Sequence, residues 1–279
     1  MMSKHPFVKK GNKVKKKAKP WAFRFARFGH MANGVVYLVI GLLAIQTAFS
    51  RGGKLTTSQG ALYTIAKQPF GFLLLSVLVI GLIGYACWQL VRTVFDPENM
   101  GHQLKGIFTR IGYLFMSSIY IGMCTSAIRI LLRARVHTSG EHYQTWSAKM
   151  LAQPFGQTII TIMGVIILIF GVGQVIWGLA GGFQKQLKKN EMTRKEWRYV
   201  EYIGKFGMSA RGAVFGIVSI FLIRTAIQAD PDETKGLDGA LAEVAQQPFG
   251  SVLLAIVAAG LIAYGVYMFA EARYKRLNF

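Results

Sequence analysis

Long apolar runs without charge, separated by short polar clusters, fill most of this chain. Residues 28–50, 68–91, 111–128, 150–184 and 244–270 contain no Lys, Arg, Asp or Glu, and 206–223 is broken only by Arg211. About 20 apolar residues carry a helix across a hydrocarbon core. Soluble folds rarely hold runs this long and this numerous, so the pattern predicts six transmembrane helices. The tetrapeptide Gln-Pro-Phe-Gly opens three of them: Gln68, Pro69, Phe70 and Gly71; Gln153, Pro154, Phe155 and Gly156; Gln247, Pro248, Phe249 and Gly250. About 40 residues before each copy, another run begins around a glycine: Gly29, Gly112 or Gly207. The chain reads as three copies of one unit, a helix in, a loop, the tetrapeptide and a helix back. Self-similarity at a fixed period is the mark of a repeat architecture.

The expected fold class is therefore an all-α integral membrane protein, with six transmembrane helices in three parallel two-helix repeats. Parallel repeats can close around a pseudo-threefold axis along the membrane normal, as some transporters do. That geometry leaves room for either a pore or a packed core. The expected segments are a basic tail (1–23) and repeats at 24–98, 105–184 and 200–275.

Aligning the units on their first glycine gives each repeat position a chemistry. Five residues on stand Gly34, Ser117 and Gly212; twelve on stand Gly41, Cys124 and Ser219. Small residues at these offsets let helix backbones approach closely. Eight on stand Tyr37, Tyr120 and Phe215. Seventeen on, about 25 Å along a helix, stand Gln46, Arg129 and Arg224. At that depth they read as snorkelling anchors, with an outward-facing anion-attracting ring as the alternative. Four on stand Asn33, Met116 and Arg211. An ionisable side chain inside a span is a functional hypothesis by default. Arg211 is expected to point to the surface or into the bundle, meeting Glu201, Glu271, helix-end carbonyls or lipid phosphate. In the second helices, proline is expected in the first turn, where its missing N–H costs nothing, and the following phenylalanine in the apolar region. Sixteen past each proline stand Tyr85, Phe170 and Tyr264; twenty past stand Gln89, Gln174 and Met268. The two glutamines read as interhelical hydrogen-bonding groups rather than a transport site. Gly60-Ala61-Leu62 and Gly239-Ala240-Leu241 read as parts of short interfacial helices.

Charge orients this picture. The net charge is +21, and residues 1–27 hold ten Lys or Arg and no acid. The tail, the 2–3 and 4–5 loops and the C-terminus together carry 23 basic residues, and the other three loops carry 9. Positive charge stays cytoplasmic, so both termini are expected inside. The lysine-rich stretch from Lys13 to Lys19 is expected to attract anionic lipid, at about 1 kcal/mol per basic residue. Trp21, Phe23, Phe25 and Phe28 read as an interfacial belt. The tail has few aromatics to stack bases and feeds directly into a span, so nucleic acid is not an expected partner. Helix 1 matches helices 3 and 5, which cannot be signal peptides, and is expected to be a mature span.

Chemistry is sparse. Cys87 and Cys124 lie in apolar helices and read as packing residues, forming neither a disulfide framework nor a metal motif. Asp230, Asp232, Thr234, Gly236 and Asp238 resemble a calcium loop, yet Lys235 stands at its sixth position and Leu241 at its twelfth. His137, Glu141 and His142 lack the spacing of a zinc helix, and His30 and His102 are single histidines near membrane boundaries. Acid–base chemistry usually needs a positioned pair, and no acidic pair lies inside a span. No catalytic residue, cofactor or metal is expected, and the chain is not expected to be an enzyme.

Ala210-Arg211-Gly212 after Lys205-Phe206-Gly207, the Gly-Ala-Leu before the tetrapeptide, and Gly-Leu-Ile-x-Tyr at 81–85 and 260–264 resemble one family. It is the bacterial domain-of-unknown-function family twelve-oh-six, and the likeness runs over about residues 24–275. Repeat two departs from the pattern, with Phe115-Met116-Ser117 for Ala-Arg-Gly, and repeat one has Asn33 for the arginine. The resemblance implies an integral protein of the bacterial inner membrane and brings no activity with it. The expected role is structural or lipid-associated; the alternative is a channel or carrier for an anion along the axis, with Arg129, Arg211, Arg224, Gln89 and Gln174 as its polar groups.

Overall fold

The computed structural model describes residues 6–49, 58–95, 104–132 and 141–275. The helices are α1 (Pro6–Ala48), α2 (Ser58–Ala66), α3 (Gly71–Phe95), α4 (Leu104–Leu131), α5 (Glu141–Leu151), α6 (Gly156–Leu179), α7 (Arg194–Gln228), α8 (Leu237–Gln246) and α9 (Gly250–Tyr274). Among the described residues there is no strand, only an isolated bridge between Leu187 and Lys275. Six helices, α1, α3, α4, α6, α7 and α9, are long and apolar enough to cross a membrane. Their outward faces are apolar too: Leu73, Ile80, Ile162, Ile169, Ile176 and Val252 are all exposed. A helix that is hydrophobic all round belongs in a core or a membrane. The short helices α2, α5 and α8 lie in the loops before each tetrapeptide, where interfacial helices were expected. The Lys13 to Lys19 stretch and Trp21, Phe23 and Phe25 fall on α1, but their side chains lie outside the described ones, as do those of His102, His137 and His142.

The tetrapeptide is a turn, not a first helical turn, and this corrects the sequence expectation. The helices begin at its glycine. Gly71 N donates to Gln68 O at 2.8 Å, and Gly156 N to Gln153 O at 3.0 Å. Proline therefore fills the second turn position, and phenylalanine the third, at φ 60° for Phe70, 64° for Phe155 and 60° for Phe249. A positive φ at the third position marks a type II turn, where glycine is usual. These phenylalanines project outward, 82%, 81% and 86% exposed. The glycine that follows has no alternative. A Cβ on Gly71, Gly156 or Gly250 would stand 2.0, 1.9 or 2.0 Å from a carbonyl oxygen at the end of the preceding short helix.

Helix packing repeats the sequence offsets. Within a unit, a Cβ on Gly29 would stand 2.6 Å from Tyr85 N, and one on Gly207 would stand 2.3 Å from Tyr264 N. Between units, a Cβ on Gly34 would stand 2.8 Å from Gly265 O, and one on Gly212 would stand 2.7 Å from Gly171 O. Ser117, at the same offset in unit two, donates to Ala86 O at 3.3 Å. Thus α1 packs on α9, α4 on α3 and α7 on α6, each first helix against the second helix of another unit. Inside their units α1 packs on α3 and α7 on α9, while α4 and α6 touch only lightly. The equivalent Gly112 stands clear, its Cβ position 3.3 Å from the Phe170 ring edge. The contact between α4 and α6 is thus the weakest within any of the three units.

Helix α7 starts at Arg194, capped by a reciprocal pair in which Thr193 and Glu196 satisfy each other's free backbone donors. Lys188 N donates to Tyr274 O at 2.8 Å, so the link between α6 and α7 is fastened to the end of α9.

Candidate functional site

Arg211 lies at the midpoint of α7 and is buried. Its Nε donates to the Tyr37 hydroxyl at 2.9 Å and its Nη1 to the Tyr264 hydroxyl at 2.8 Å. Nη2 reaches Met116 Sδ at 3.2 Å. The guanidinium carbon stands 4.7 Å from the Tyr264 ring centre, 4.9 Å from that of Phe215 and 5.3 Å from that of Tyr37. Tyr37 and Tyr264 meet edge to face at 4.8 Å, as do Tyr85 and Tyr120 at 4.4 Å. The repeat placed these groups: Met116 shares Arg211's offset, Tyr37, Tyr120 and Phe215 share the next turn, and Tyr85 and Tyr264 share the position past the proline. Arg211 points into the bundle, and among the described residues it forms no ion pair. Glu201 instead pairs with Lys205 at 2.8 Å, and Glu271 with Lys275 and His30. Of the expected alternatives, the side chain takes the bundle interior, and its hydrogen-bond partners there are Tyr37, Tyr264 and Met116 rather than Glu201 or Glu271.

The magnitudes describe a cation solvated by protein. Desolvating an ion costs several kcal/mol in a protein interior. Hydrogen bonds to a charged group return about 1.5–3 kcal/mol each, and each aromatic face about 0.5–2 kcal/mol. Two phenols and three ring faces therefore replace much of the lost water. They do not neutralise the charge.

A second cluster joins α1 to the end of α9. His30, Glu271 and Lys275 are all buried. Lys275 Nζ lies 3.2 Å from His30 Nε2 and also bonds Glu271, and His30 Nε2 stands 3.5 Å from Glu271 Oε1. His30 also meets the Tyr85 ring at 4.8 Å. The sequence signals for this cluster were the four-residue spacing of Glu271 and Lys275 and the position of His30 beside the packing glycine Gly29. Arg92 was counted only as a loop charge. It is buried, bonds Tyr113 on α4 at 2.6 Å and lies 3.7 Å from that ring's centre.

The remaining candidates do not converge on Arg211. Gln46, Arg129 and Arg224 are exposed. Gln89 is buried and accepts from Arg92 Nη1 on its own helix at 3.1 Å, rather than from another helix. Gln174 is buried with its Oε1 unpartnered. The loop at 230–238 gathers Gln144, Asp232, Lys235, Asp238 and Glu243 around a cavity of about 220 Å³. Lys235 pairs there with Glu243 at 3.0 Å, and burial pushes the Asp238 carboxyl above its ordinary value. Among the described residues no group of three His, Cys, Asp or Glu could hold a metal ion.

The family described as Domain of Unknown Function (DUF1206) matches at residues 28–96, 111–181 and 206–275. The chain belongs to this family. Its three matches are the three tandem repeats marked by the glycines and tetrapeptides. A relative, the uncharacterized protein YxxB of Bacillus subtilis (strain 168), is 39% identical over 267 residues, covering 96% of each chain. No solved structure matches.

Proposed function

We propose that this DUF1206 protein is a non-catalytic, multi-pass protein of the bacterial inner membrane with a structural, lipid-associated role. Its three units close around a pseudo-threefold axis, and both termini face the cytoplasm. One observation carries the reading: the centre is packed. Tyr37, Tyr85, Tyr120 and Tyr264 crowd around Arg211. Beyond them, toward the tetrapeptide turns, Ile40, Ala44, Leu75, Leu254 and Ala258 are fully or nearly fully buried. An open channel holds a water-filled path along its length, and the close packing of these apolar side chains supports a non-conducting role. The buried charges nearer the termini are engaged with one another or with phenols. The pairing of each first helix with another unit's second helix supports the closed ring. The uneven distribution of basic residues supports the orientation, and the basic tail supports anionic lipid as a partner.

The decisive experiment reconstitutes the full chain in vesicles. No chloride, phosphate or cation flux above that of empty vesicles is expected, and saturable flux of any of these would overturn the reading. Deleting residues 1–19 should weaken binding to anionic but not neutral vesicles. A reporter fused after Phe279 should be active only in a cytoplasmic format.

A further inference from the structure

We infer that Arg211, Tyr37 and Tyr264 form a binding site for one compact oxyanion, a phosphate group, with the Met116 side chain as its displaceable plug. The inference goes beyond the structural role and does not depend on the tail. Buried charges in proteins are paired, yet Arg211 forms no ion pair among the described residues, and Glu271 is engaged by Lys275 and His30. Its two firm partners are phenols that accept from the guanidinium, and each keeps its own O–H to donate. A guanidinium flanked by two hydroxyl donors is a recognition set for an oxyanion, because charge-assisted bonds of this kind are the strong ones.

The third partner marks where the anion enters. Thioether sulfur is a weak acceptor, and methionine is the most adaptable of apolar side chains. Met116 sits on α4, the helix least tightly held within its own unit. There a Cβ on Gly112 would stand 3.3 Å from the Phe170 ring edge, whereas a Cβ on the equivalent Gly29 or Gly207 would clash with tyrosine backbone at 2.6 or 2.3 Å. The seam between α4 and α6 is thus the place where the ring opens toward the surrounding medium with least disturbance. Withdrawal of the Met116 thioether frees Nη2 on the side facing α4.

The phosphate can come from solution or from a lipid headgroup, and two arms separate these sources. In the first, the purified full chain in neutral detergent is titrated with inorganic phosphate. In the second, it is placed in phosphatidylcholine nanodiscs doped with phosphatidic acid, and retained lipid is counted by native mass spectrometry. Saturable one-to-one binding is expected, at least tenfold weaker in Arg211→Gln and several-fold tighter in Met116→Ala. The tail is present in every variant, so its contribution cancels. Binding in the phosphate arm assigns a free anion; binding confined to the lipid arm assigns a headgroup. Should Arg211→Gln fail to fold, Met116→Ala decides alone. No saturable binding in either arm, or binding that neither substitution changes, overturns the inference.

Discussion

Gly207 tests the packing most sharply. A methyl group there would stand 2.3 Å from Tyr264 N and 2.6 Å from its Cα. Both are backbone atoms of a helix and cannot rotate aside. Restoring an ordinary contact needs a shift of about 1 Å between α7 and α9, and that shift also moves the Tyr264 hydroxyl that holds Arg211. Overpacking of this kind costs typically about 1–3 kcal/mol, and the absence of side-chain give places Gly207→Ala at the upper end. Alanine returns about 1 kcal/mol of helix propensity, so the expected net loss is about 1–2 kcal/mol. At about 2–4 °C per kcal/mol for a chain of this size, the Tm in detergent falls by about 2–8 °C. Gly112→Ala is the internal control. Its methyl would meet only the edge of the Phe170 ring at 3.3 Å, so the propensity gain leaves stability within about 1 kcal/mol of wild type. Thermal unfolding of both variants, followed by tryptophan fluorescence, gives the comparison. A Gly207→Ala protein as stable as wild type, or a Gly112→Ala protein equally damaged, would refute the unequal closure of the units.

Tyr37→Phe leaves the Arg211 Nε without its acceptor and should cost about 1.5–3 kcal/mol; in an Arg211→Leu background the same change should cost nearly nothing, a coupling a double-mutant cycle reads directly. Phe155→Gly relieves a left-handed conformation on an exposed turn and should raise stability in detergent by about 1 kcal/mol, while Gly156→Ala should lower it severely, since its Cβ would stand 1.9 Å from a carbonyl oxygen. Burial raises the Asp238 carboxyl, so the folded state holds that proton more tightly than the unfolded chain. Stability should therefore fall as pH rises from the ordinary carboxylate range through the raised folded value. Asp238→Asn should flatten that fall in a pH series of unfolding curves, and an unchanged slope would remove Asp238 as its source.

The apolar runs and the tetrapeptide made the six long helices and three units legible, because both report on burial and backbone geometry that hardly depend on partners. The glycine offsets also named the contact points: Gly29, Gly34, Gly207 and Gly212 all meet backbone of a neighbouring helix. The turn was misread because proline suits both a first helical turn and the second position of a type II turn. A phenylalanine at positive φ is too rare to expect. The partners of Arg211 were hidden for a different reason. Partners were sought among acids, helix-end carbonyls and lipid phosphate, while the ligands are the phenols of Tyr37 and Tyr264. The alignment had already singled out the positions of Tyr37, Phe215 and Tyr264, which meet at Arg211. The pairing of His30 with Glu271 and Lys275 was equally hidden, because it joins the first long helix to the last.

A structure of the full chain in lipid nanodiscs, at a resolution that shows side chains, tests the central claim most directly. The account predicts Arg211 at the centre of a closed ring, bonded to Tyr37 and Tyr264, with α1 packed on α9 and hydrocarbon filling the axis toward the tetrapeptide turns. A continuous water-filled path through that axis, or an Arg211 turned outward to lipid, would contradict it.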